Sequence, residues 1–97
     1  MEEFVYYNNL YDLYGELLTD KQRAYFEDYY FHNLSFAEMA ENYEVSRNAV
    51  FKQLHNTIDK LNEYESKLGL FVKKKRIIEI VDKISDLEIK KEILEVL

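Results

Sequence analysis

Residues 35–54 read SFAEMAENYEVSRNAVFKQL. Ser35 stands three residues before Glu38, the spacing of a capping box, and Leu34 and Met39 take the hydrophobic-staple positions around it. Ser46 repeats the signal as a cap, with Val45 and Val50 in the same staple relation. The spacing predicts a short helix over about 36–43, a turn, and a longer helix over about 47–68 that keeps Val50, Leu54, Ile58, Leu61, Tyr64 and Leu68 near one side. Gly69 then sits where a helix ends in a left-handed residue. Two such segments make a helix-turn-helix if their steric demands are met. Ala40 is small where the second helix crosses the first, Val45 supplies a buried aliphatic before the second helix, Ser46 caps it, and Val50 and Leu54 form its inward stripe. Glu44 is the one departure: the turn needs positive φ there, and a residue with a Cβ costs about 1 kcal/mol relative to glycine.

Outward from this stretch the chain reads as helix. Proline is absent and only two glycines occur in 97 residues, so little breaks a helical ladder. A hydrophobic content of 47% with 33% charged residues describes a globular chain, and the length suits one domain spanning 1–97. Residues 3–18 bring Phe4, Tyr7, Tyr11, Tyr14 and Leu18 to one helical face, widened by Leu10, Leu13 and Leu17. Thr19 with Gln22 is a second capping box and starts a helix over about 20–32. In the tail, 70–97, SDLE at 85–88 is a third box with Ser85 as cap, so the spacing predicts two helices with a bend near Ser85; one continuous bent helix is the alternative. The expected fold is an all-α helical bundle, with a helix-turn-helix core at about 19–68 and a C-terminal helical extension at 70–97.

The pieces LTDKQR, LSFAEMAE, VSRNAV and YESKLGL, all within residues 18–70, resemble region 4 of bacterial sigma factors, and more closely the YlxM family of small helix-turn-helix proteins. That resemblance implies a bacterial cytoplasmic protein of regulatory type. The family's genes lie beside those of the signal recognition particle, which implies a part in protein targeting.

On the outward side of the 47–68 helix, steps of 100° from Val50 gather Asn48, Lys52, His55, Asn56 and Asp59, with Arg47 in the first turn and Gln53 on the flank. In a groove-bound motif Arg47 and Lys52 suit phosphate or guanine, Asn48 suits adenine, and Gln53 reaches a backbone oxygen. The sigma region 4 resemblance assigns this same helix to DNA contact. The alternative is a plain solvated face, and charge favours it. The chain carries 13 bases against 19 acids, a net of −6. Residues 1–45 hold two bases against ten acids, whereas 46–97 hold eleven against nine, so such positive potential as exists lies on the second half. Lys73, Lys74, Lys75 and Arg76 form a separate basic cluster, readable as a phosphate-binding patch for RNA or DNA or as a solvated bend. Four bases near a helix start oppose the helix dipole unless something offsets them.

The tail's Ile77, Ile80, Val81, Ile84, Leu87 and Leu94 make an apolar stripe that could pack back on the first helix, join a second copy, or receive a protein partner. A homodimer is the first choice, because a two-fold would set two reading helices side by side. The expected partner is DNA. An adaptor that has lost DNA reading and binds the targeting GTPase or its RNA is the rival, and components of the signal recognition particle are its partners.

Nine tyrosines and six phenylalanines fall at helical spacing and read as core, with Phe51 the aromatic that lies exposed beside the reading surface. Cysteine is absent, which excludes disulfides and thiolate zinc sites. His32 and His55 have no carboxylate at ligand spacing, so no metal, cofactor or catalytic residue is expected and the chain does not read as an enzyme. The acidic N-terminus is no signal peptide, and no apolar run approaches the roughly 18–20 residues that span a bilayer. A cytoplasmic location follows as the expectation.

Overall fold

Thr19, Ser35 and Ser46 start three helices where their spacing predicts. The structure is a computed structural model and describes residues 2–97. The Thr19 and Ser35 hydroxyls accept from the N–H groups of Gln22 and Glu38 at 3.1 Å, and those two side chains accept in turn from the cap N–H groups. Ser46 Oγ accepts from the Ala49 N–H at 3.0 Å. The element order is α1 (Glu2–Tyr14), a 3₁₀ turn (Gly15–Leu17), α2 (Asp20–Tyr30), α3 (Phe36–Tyr43), α4 (Arg47–Leu68), α5 (Leu70–Val81) and α6 (Leu87–Glu95). The described residues contain no strand, and the fold class is all-α as the sequence predicts.

Three boundaries differ from the sequence reading. The first helix, expected over 3–18, leaves α geometry at Tyr14, tightens through Gly15–Leu17, and ends on Leu18 in an extended conformation (φ −80°, ψ 157°). Thr19 must itself be extended to cap α2, so the helix cannot run into it. The second, expected to reach His32, stops at Tyr30 because Asn33 turns left-handed at φ 56° and the Leu34 N–H folds back to the Asp28 carbonyl. In the tail the cap is Asp86, not Ser85: one oxygen of its carboxylate, Oδ1, accepts from both the Glu88 (3.0 Å) and Ile89 (3.2 Å) N–H groups, and its negative charge sits at the positive end of the helix dipole. The tail is two helices parted by residues 82–86, which sets aside the continuous bent helix.

α4 ties the core together. Its Val50 and Leu54 pack with Tyr25, Met39 and Ala40 of α2 and α3, while its Leu61 packs with Leu10, Tyr14, Leu18 and Phe26. Between the two clusters the wholly buried Thr57 satisfies its hydroxyl by donating to the Gln53 carbonyl at 2.8 Å. Aromatic rings fill much of the space: Tyr11 and Phe26 stack at 4.3 Å, as do Tyr25 and Tyr43. Tyr11 donates to Glu27 and Tyr43 to Asp28, so phenols that reach the edge of the core find a carboxylate of α2.

α5 leaves the C-terminal end of α4 and runs beside α1, with Phe71 meeting Tyr6 edge-on at 5.3 Å. A groove of about 370 Å³ between them is floored by Leu13, Phe71 and Ile78. The molecule measures 54 × 25 × 22 Å with a radius of gyration of 16.8 Å, against about 13 Å for a compact chain of about 100 residues. The tail leaves Val72, Ile80, Leu87, Ile89, Leu94 and Val96 exposed. Of the expected apolar stripe, Val81 is buried and Ile77 and Ile84 are half-buried, whereas Ile80, Leu87 and Leu94 are exposed.

Candidate nucleic-acid interface

The turn between α3 and α4 is built from backbone hydrogen bonds. Glu44 adopts φ 55°, ψ 45°; its N–H reaches the Glu41 carbonyl at 3.2 Å, and the Val45 N–H reaches Ala40 at 3.0 Å, the paired bonds of a Schellman motif. The left-handed geometry expected of a glycine is thus imposed on a glutamate. Met39 and Val50 are fully buried and Ala40 and Leu54 nearly so, which fixes the crossing of the two helices. Val45 is a correction: expected to be buried, it is 40% exposed. Its N–H closes the Schellman turn on Ala40, and the buried contact between the two helices is made by Met39 and Ala40 of α3 with Val50 and Leu54 of α4, without Val45. Leu68, assigned to the inward stripe, is likewise half exposed at the end of α4.

On the far side of α4 from Val50, the side chains of Asn48, Lys52, His55, Asn56 and Asp59 are all exposed, as is Arg47 in the first turn; Gln53 is half-buried on the flank. Arg47 lines a shallow pocket of about 430 Å³ with Tyr29, Ser35, Phe36 and Ala37. Phe51 is 52% exposed, as expected, and its ring is met edge-on by Phe36 of α3. Phe36 has no role in the sequence reading; its signal is a large aromatic at the first position of a helix, off the inward stripe.

The histidines differ from expectation. His32 Nδ1 lies 3.3 Å from Asp28 and His55 Nε2 lies 3.6 Å from Asp59, each pair one helical turn apart. Asp59 therefore sets a negative charge at the far end of the polar edge. No cluster of three or more potential metal ligands occurs among the described residues. Lys60 and Lys67 both pair with Glu63, at 3.4 and 3.0 Å, which leaves Arg47 and Lys52 as the cations that define this edge.

The basic cluster stands apart. Arg47 and α5 lie at opposite ends of α4, whose 22 residues span about 33 Å, several Debye lengths at physiological salt. Within α5 the helix fans the four bases out. Lys74 and Lys75 border the groove against α1 beside Asp12 and Glu79, and Arg76 pairs with Glu79 at 3.4 Å. The offset to the helix dipole is Glu65 of α4. Its carboxylate accepts from the Phe71 N–H at 3.0 Å and the Val72 N–H at 3.3 Å, placing a negative charge on the first turn of α5. Glu65 had a legible signal: an acid in the last turn of a helix opposes the dipole there and wants another partner.

No helix among the described residues is long and apolar enough to cross a membrane. The sequence model of a family described as "UPF0122: Putative helix-turn-helix protein, YlxM / p13 like" matches residues 1–97. A UPF0122 protein of Geobacillus kaustophilus is 44% identical over 86 residues, covering 89% of this chain and 78% of that protein. One of Caldanaerobacter subterraneus subsp. tengcongensis is 41% identical over 85 residues, covering 88% and 73%. One of Bacillus licheniformis is 42% identical over 89 residues, covering 89% and 83%. With a helix-turn-helix in place and the whole chain matched, this protein belongs to the UPF0122 family of helix-turn-helix proteins.

Proposed function

We propose that this protein is a cytoplasmic DNA-binding regulator that inserts the N-terminal half of α4 into the major groove in the manner of sigma region 4. The exposed polar edge opposite Val50 and Leu54 carries the reading, because it is the side that the buried stripe turns outward. Arg47 and Lys52 engage phosphate or guanine, Asn48 engages adenine, and Gln53, His55 and Asn56 contact the flanking backbone. Two cations per copy neutralise little of a duplex that carries a charge about every 1.7 Å. A homodimer that joins the exposed apolar faces of α5 and α6 doubles that footprint and is part of the proposal, as is the single domain spanning 1–97. Fluorescence anisotropy with labelled duplex is the test: Arg47→Ala with Lys52→Ala should abolish binding, and unchanged binding would reject the reading.

The exposed Lys73, Lys75 and Arg76, with the half-buried Lys74, favour a second reading. Here the protein is an adaptor whose basic tail holds the RNA of the signal recognition particle or its GTPase. The link to protein targeting is carried by the family resemblance in both readings. Neutralising Lys73–Arg76 decides between them: loss of all nucleic-acid capture, with Arg47 and Lys52 dispensable, selects the adaptor.

A further inference from the structure

Phe51 borders the polar edge of α4 in a way that core packing alone does not explain. Arg47, one turn before it, and His55, one turn after it, share its ridge of the helix, and Asn48 and Lys52 lie on the next. Its ring is held from two directions. Phe36 meets it edge-on with centroids 6.2 Å apart and planes at 69°, and the His55 imidazole stacks on it at 5.9 Å and 16°. Yet half of its surface faces solvent, and its neighbours one turn away along α4, Arg47, Asn48 and His55, are polar. Apolar area left in water forgoes the gain that burial would bring. A fixed, half-open phenyl beside Arg47 and Asn48 is shaped to cover something apolar.

We infer that Phe51 is a specificity-determining residue that packs on the 5-methyl group of a thymine in the major groove. The inference rests on the groove reading proposed above. Thymine presents the one methyl group among the base edges of that groove, and a phenyl ring is among the side chains suited to it. Arg47 and Asn48 lie one turn nearer the start of α4, so they address base edges adjacent to that thymine. The contact carries no charge. It adds affinity that salt does not screen, on an edge with two cations to offer.

The test begins by selecting bound sequences from a pool of duplexes with a randomised centre, using the full chain. The winning duplex is then remade with deoxyuridine at each thymine in turn, which removes the methyl and nothing else. At one thymine the wild type should lose affinity by about fourfold, the worth of a buried methyl-sized group. Phe51→Ala should bind the thymine and uracil duplexes equally, whereas a merely structural loss would weaken both and keep their ratio. Circular dichroism confirms that the variant remains folded, as expected for a half-exposed site. If no thymine matters to the wild type, or its preference survives in Phe51→Ala, the inference is overturned while the groove reading stands. If no duplex is selected at all, both fall.

Discussion

The Tyr14 hydroxyl donates to Glu65 Oε1 at 2.6 Å and accepts from the Leu70 N–H at 3.1 Å. Together with the N–H groups of Phe71 and Val72 on the same carboxylate, this satisfies three donors in the first turn of α5. Gly69, which ends α4 at φ 62° with its N–H on the Glu65 carbonyl (2.8 Å), has no side chain with which to cap the next helix. Tyr14 and Glu65 act as that cap from α1 and α4. Tyr14→Phe removes one hydrogen bond from the carboxylate and strands the Leu70 N–H, and should lower unfolding free energy in urea by about 1–2 kcal/mol.

Acid should loosen the same joint. Burial pushes the Glu65 carboxyl up, but the Tyr14 hydroxyl and the Phe71 and Val72 N–H groups outweigh burial and hold it below its ordinary 4.5. A depressed folded value stabilises above the unfolded one, so this contribution is complete above about pH 4.5 and is lost as the pH falls further. Glu65→Gln should be less stable at neutral pH and show a shallower loss in acid, read from urea midpoints across that range.

The tyrosines set the alkaline limit. Burial first, and then the carboxylate of Asp28, pushes the Tyr43 phenol up to about 12; burial and neighbouring phenols do the same for Tyr30. Tyr11 and Tyr14, beside Glu27 and Glu65, also lie above the ordinary 10.0. A raised folded value stabilises below the unfolded one, so stability should hold up to about pH 10 and fall towards pH 12 as unfolded phenols ionise. Tyr43→Phe should make that fall shallower. An alkaline profile that does not change on this substitution would contradict the assignment.

Much of this fold is local in origin, which is why it could be read in advance. Thr19, Ser35 and Ser46 each form their cap bonds within three residues, so spacing suffices to place α2, α3 and α4. The exposed edge around Asn48 and Lys52 follows from helical period once Val50 is inward. What could not be read depends on where other elements arrive. Val45 is an aliphatic at the expected position, yet the buried cluster closes with Met39, Ala40, Val50 and Leu54 and leaves it 40% exposed. Ser85 and Asp86 are both capping residues one position apart, so spacing alone does not choose between them, and it is Asp86 that bonds the Glu88 and Ile89 N–H groups. The pairing of Phe36 with Phe51 needs the crossing of α3 over α4, which no window of sequence contains.

Glu44 marks a place where the sequence runs against the fold. A left-handed residue with a Cβ is strained by about 1–2 kcal/mol, partly offset because glycine gives the unfolded chain more freedom. Glu44→Gly should therefore raise stability by about 0.5–1 kcal/mol and leave the circular dichroism spectrum unaltered. The same change takes a negative charge from beside Val45 and Ser46, so it should also strengthen duplex binding at low salt.

The proposed dimer is checked by mass. Light scattering at micromolar concentration should give twice the chain mass, and Ile89→Glu with Leu94→Glu, two exposed positions of α6, should return it to the monomer. A folded wild type at monomer mass under those conditions refutes the dimer.

α4 is one unbroken rod from Arg47 to Leu68. Arg47 stands at one extremity and Glu65, gripping α5, stands near the other. Thr57, wholly buried, lies near its middle, and about 16 Å of helix extends to either side of it. Val50, Leu54 and Leu61 hold the rod in the core on both sides of that midpoint, so its two ends keep a fixed spacing. One helix therefore acts as a ruler for the molecule, and a partner that met both ends at once would have to match its length.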